Sequence, residues 1–195
     1  SITLYTQADS SGVVSETDNL DNISTGTEVC IAGADAYENA ATSSNLLING
    51  SFEDGNYAPD AAPAAWTQDA WNWSASTFTW DDTQAHDGDR SIRITNDDLN
   101  DARWTQMVMV EPNTDYRLSG WIRAENVTHT QESIDAGANL SVFDSPEFRI
   151  WTYVGELFGT NDWTYVSLVF NTGDVTELTI AARLGYWYGT TTGTA

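Results

Sequence analysis

The chemistry this chain offers is mainly that of flat rings. Nine Trp and eight Tyr stand among 195 residues, more than a core of this size requires. Trp71, Trp73 and Trp80 lie in DAWNWSASTFTWDD, Trp151 and Tyr153 in RIWTYVG, and Tyr186, Trp187 and Tyr188 precede a Gly-Thr-rich stretch. Residues two apart point the same way in an extended strand, so Trp71 with Trp73, and Trp151 with Tyr153, each form a two-ring platform. Such rings stack on the C–H faces of pyranoses while planar polar side chains read the hydroxyls. They equally seal contacts between protein subunits, where Trp and Tyr are enriched. Sequence alone does not separate the two uses.

Covalent chemistry finds little support. His86 and His129 have no companion motif, and G-x-S-x-G, H-E-x-x-H and Gly-rich phosphate loops are absent. Cys30, the one cysteine, sits in TEVCIAG, where it reads as a small buried hydrophobe; with no second cysteine, no intrachain disulfide forms. Among 29 carboxylates some pair stands at a glycosidase-like separation by chance. DDTQAHDGD and NDDLND lack the spacing of an EF-hand loop. No residue is assigned a catalytic role, and a non-enzyme is expected.

Charge narrows the partners. The seven basic residues are all Arg, and the net charge of -22 repels nucleic-acid phosphates and anionic membranes. No apolar run reaches bilayer length, so no membrane insertion is expected. The chain begins at Ser1 with no signal peptide in view, which a processed N-terminus explains; a secreted or extracellular-surface location is expected.

The elements that must position these rings read as strands. Val166, Leu168 and Phe170 share a face in WTYVSLVF, and Leu178, Ile180, Ala182 and Leu184 share one in ELTIAARLG. DYRLSGWIRA, RWTQMVMVEP and RSIRIT alternate likewise, while helical periodicity is nearly absent. Short alternating runs between Gly, Asp, Asn and Pro clusters indicate an all-β sandwich or barrel. Composition shifts near residue 45: every Trp lies at 66 or beyond, and 1–45 reads as an extension carrying strand-like SITLYTQ, GVVSE and TEVCIAG, then a linker. Residues 46–195 form the sandwich.

Five stretches in order carry a resemblance: NLLINGSFEDG, read as a first strand; AHDGDRSIRI; WTQMVMVEPNTDYRLSGWIRA; GANLSVF; and the long run from GTNDWTYVSLVF to the end. From residue 45 onward the chain resembles carbohydrate-binding modules of the xylan- and glucan-binding jelly-roll group, within the galactose-binding-like sandwiches. The resemblance implies a two-sheet antiparallel jelly roll whose partner is a polysaccharide or glycan. It implies that Trp121, beside Arg123, lies on a concave ligand face and Arg183 on the comparable face of its strand. It also implies a structural calcium, with Glu53 matching the first ligand and Asp87 and Asp89 in the turn that follows His86. Here the chain departs from the pattern: relatives close the sandwich with a strand resembling W-F-D-D-V, which also holds a calcium ligand, whereas this chain runs to Ala195. Either a longer C-terminus supplies that strand, or a strand from the front extension, of the same or a neighbouring copy, fills the slot. The latter carries a second reading: a structural subunit of an extracellular filament, sheath or virion surface, self-assembled by strand complementation.

Overall fold

The structure, a computed structural model, describes residues 2–6 (backbone), 45–56, 61–129, 136–144, 149–186 and 191–195. The strands are β1 (Ile2–Thr6), β2 (Thr67–Ala70), β3 (Ser76–Asp81), β4 (Ser91–Asn100), β5 (Ala102–Met109) and β6 (Asp115–His129). They continue with β7 (Ala138–Phe143), β8 (Trp151–Leu157), β9 (Gly159–Asn171), β10 (Glu177–Leu184) and β11 (Thr191–Thr194). Among the described residues a 3-10 turn covers Trp73–Ala75.

Two antiparallel sheets result. One runs β2-β5-β10-β7-β8. In the other β6 is central: β9 lies on one edge, β11 and β1 share the opposite edge, and β4 and β3 follow β11. Period-two alternation decides which face of each strand is dry. On β5, Ala102, Trp104 and Val108 are buried while Met107 and Met109 are exposed. On β10, Leu178, Ile180 and Leu184 are buried. Trp104 is wholly buried and meets Phe78 of β3 edge-to-face at 5.5 Å, tying the sheets together. Each fully buried large side chain contributes about 1.5–3 kcal/mol of transfer energy. This all-β sandwich is the one expected from the alternation.

One expected element differs. The segment 46–53 is a turn, not a first strand. Asn49 (φ 53) and Phe52 (φ 65) are left-handed there. The Asn49 amide donates to the carbonyls of Asp54 and Ala64, and its oxygen accepts from Asp54 N–H, so side-chain bonds replace a ladder. Leu47 and Phe52 are buried from within that turn, which explains a strand-like apolar content without strand pairing. Of the extension, the SITLYTQ piece supplies β1, which pairs with β6 rather than near 46–53. GVVSE, TEVCIAG with Cys30, and the linker lie outside the described residues.

Candidate functional site

The inward side chains of β5, β10 and β7 fill the core, so their alternates face out across the five-stranded sheet. Two arginines meet there. Arg183 donates from Nε to Asp101 Oδ1 at 2.7 Å and from Nη2 to Asp101 Oδ2 at 2.5 Å, and the pair is buried, with side-chain exposures of 2% and 7%. Arg103, opposite Arg183 in the register, donates to Asp101 Oδ2 at 3.3 Å and from Nε to Asp69 Oδ2 at 2.7 Å. Carboxylates and guanidiniums thus alternate across three adjacent segments. A buried charge needs such pairing, because desolvating it alone costs several kcal/mol.

Rings surround this network. Arg183 Cζ lies 4.5 Å from the Tyr186 ring centroid, a cation–π contact. Tyr186 in turn stands 4.8 Å from Tyr153 and 5.4 Å from Trp151, both on edge strand β8. Burial pushes the Tyr186 phenol up to about 12, opposed by nearby Arg183 and reinforced by Tyr153 and Asp101. Behind the rings, Asn139 donates to the carbonyls of Gly137 and Gly185 and accepts from Ser141 Oγ, fixing the backbone that leads into Tyr186. Trp151 is 37% exposed, so this cluster presents an aromatic edge to solvent. Arg183, in contrast, is covered: its Nε and Nη2 donate to Asp101, and its guanidinium lies against the Tyr186 ring.

The sequence-assigned residues divide over several places. Trp151, Tyr186 and Arg183 come together as described. Trp71 N–H donates to the Asp101 carbonyl at 2.9 Å, which puts this 76%-exposed ring at the end of the same network. Trp73 is also exposed, but it opens the 3-10 turn and tilts against Phe78 at 5.7 Å, so it does not form the extended pair with Trp71. Trp121 and Arg123 belong to β6 of the other sheet. The His86 ring stacks on Trp121 at 3.9 Å and 13°, and Arg123 donates to Gln84 Oε1 at 3.1 Å, so the loop after β3 meets both, and the two side chains also line a cavity of about 310 Å³. Trp187 lies outside the described residues. Asp101, Asp69 and Arg103 escape sequence reasoning; only the Arg103-Asp101 spacing on one face hints at them.

Glu53 caps the turn after His86. Its Oε1 accepts from Asp89 N–H and Arg90 N–H, both at 3.1 Å. Gly88 (φ 73) is required there, since a Cβ would collide with that oxygen. Asp87 and Asp89 are exposed, and among the described residues no group of three or more His, Cys, Asp or Glu is gathered to hold a metal ion. Glu53 thus caps this turn, and its carboxylate by itself falls short of the six to eight oxygens that a calcium ion takes.

Two antiparallel sheets, one with an outward aromatic and arginine network, make up a jelly-roll β-sandwich. A profile of the carbohydrate binding domain family (CBM 4/9) matches residues 44–191, and the chain belongs to that family. Solved structures similar to it include TmCBM61 in complex with β-1,4-galactotriose (17% identity, 78% of this chain and 97% of that one, TM-score 0.45). Another is the CBM22-1 xylan-binding domain of Xyn10C from Paenibacillus barcinonensis (17% identity, 74% and 88%, TM-score 0.44). A third is a family 16 carbohydrate binding module (20% identity, 77% and 95%, TM-score 0.45). No curated protein matches the chain. Among the described residues no helix is long and apolar enough to cross a membrane.

Proposed function

We propose that this chain is a secreted, non-catalytic module that binds a neutral polysaccharide on the outer face of its five-stranded sheet. The supporting observation is the Trp151–Tyr153–Tyr186 cluster, held by a buried Arg183–Asp101 pair and partly open to solvent. Ring faces take pyranose C–H surfaces, and Arg103 and Asp69 at the other flank supply planar hydrogen-bonding groups for hydroxyls. A net charge of -22 disfavours uronic-acid or sulfated chains, which leaves neutral glycans. Affinity electrophoresis and calorimetry against xylan, β-glucan and β-1,4-galactan test this. Binding to at least one, lost in Trp151→Ala, is expected; no retention on any neutral polysaccharide overturns it.

A second reading, a structural subunit joined to its neighbours through the N-terminal extension, is favoured by one observation: β1 lies on an edge of β6. The two readings use different surfaces and are compatible.

A further inference from the structure

One edge of β6 is divided between two strands from opposite ends of the chain. β11 pairs with residues from Glu125 to His129 and β1 with residues from Tyr116 to Gly120, both antiparallel to β6 and therefore running the same way. Thr194 stands opposite Glu125 and Ile2 opposite Gly120, so the strands are collinear, with the span from Trp121 to Ala124 between them. Ala195 extends β11 by exchanging hydrogen bonds with Ile94 of β4. At the intervening span a cavity of about 310 Å³ opens, lined by Trp121, Ile122, Arg123 and Ala124 of β6 and by Ile92 and Arg93 of β4. Trp104, Leu140 and Ala182 of the five-stranded sheet line it as well, so it reaches between the two sheets. Among the described strands β1 pairs with β6 alone. The link of roughly 40 residues before Asn45 has a contour of about 130 Å, beyond the ~50 Å run of the longest strand. Length therefore does not confine β1 to the β6 of its own copy.

We propose that β1 is an exchangeable strand: at high local concentration, β1 of a second copy seats on the Tyr116–Gly120 edge of β6 and joins the copies through main-chain hydrogen bonds. This inference rests on the subunit reading above and is independent of sugar binding. Pairing is the same within and between copies, so concentration decides between them. The strand of the same copy competes with that of a second copy, so exchange sets in as chain concentration rises. Repulsion between copies carrying a charge of -22 opposes this at low salt. A Debye length of about 8 Å at 0.15 M relieves it. Reciprocal exchange closes a dimer; one-way exchange leaves an open series.

Tyr5 and Arg117 are register partners. Tyr5→Cys and Arg117→Cys, each in a Cys30→Ala background, are mixed under oxidising conditions from ~10 μM to ~1 mM, with light scattering on the unaltered chain in parallel. The mixed disulfide is expected to exceed either homodimer at least fivefold at the top concentration, rising with salt. The chain carrying both cysteines reports closure within one copy and guards against a single variant that fails to fold. If that chain closes on itself at every concentration while the mixed disulfide stays at homodimer background, the exchange is overturned. Growth in scattering mass in that case would leave the subunit reading standing on another contact; a constant monomer mass would remove both.

Discussion

Both sheets turn Trp, Tyr and Arg outward, yet the two faces use them differently. On the five-stranded sheet the arginines neutralise a buried carboxylate, and the rings of β8 gather at its rim with Trp151 in solvent contact. On the sheet around β6, His86 lies flat on Trp121, with Trp163 edge-on to His86 at 5.8 Å, and Gln84 holds Arg123. The same residue types make a platform in one place and a lid contact in the other. The number of rings therefore says little about a site; what covers each ring decides.

The largest expected effect separates the two arginines. Arg183→Met leaves Asp101 buried with only the 3.3 Å contact from Arg103, and should cost about 3–5 kcal/mol in urea unfolding. Arg123→Met should cost less than about 0.5 kcal/mol, as surface changes do. Equal costs would erase the distinction between the faces. Next comes pH. The folded-state phenol of Tyr186 at about 12 lies above its ordinary 10, so folding favours the neutral form. That contribution is complete below pH 10 and fades as pH climbs toward 12. The loss is at most about 1.4 kcal/mol for each pH step of one, and smaller where water screens the hydroxyl. Denaturant midpoints measured across this range should fall in the parent and flatten in Tyr186→Phe. Trp151→Ala should lower affinity for the bound polysaccharide about tenfold, or about 1.4 kcal/mol, while Trp121→Ala changes it less than about twofold, since His86 stacks on that ring. Comparable losses in calorimetry would place the ligand across both faces. The smallest effect concerns Glu53: calcium or chelator should move the melting temperature by less than about 2 °C, because a ligand stabilises only where it binds the native state.

Much of the sheet structure is legible in the sequence. Strands β5 and β9 alternate in burial because each has one dry face, whereas Ala181 and Arg183 leave β10 buried on both sides. The segment 46–53 misleads because Leu47 and Phe52 are buried from a turn, and periodicity does not register how an apolar residue is reached. The site is legible only in part. Trp151 and Tyr153 follow from spacing two apart, but Arg183 and Asp101 lie 82 residues apart and meet only after β5 and β10 pair. NDDLND reads only as an acidic run without EF-hand spacing, yet Asp101 within it is buried. The stacking of His86 on Trp121 depends on a loop trajectory that no local pattern encodes.

The placement of β11 between β4 and β6 has a consequence for biogenesis. Thr191–Thr194 bridge β4, finished at Asn100, and β6, finished at His129, both long before β11 is made, as the Thr95–Thr194 hydroxyl contact across 99 positions illustrates. While the ribosome is still elongating, β4 and β6 wait with bare edges, and contacts of such long sequence separation form slowly. Until Thr191–Thr194 are made, those edges stay open to pairing with other nascent chains, which like-charge repulsion at a formal charge of -22 opposes.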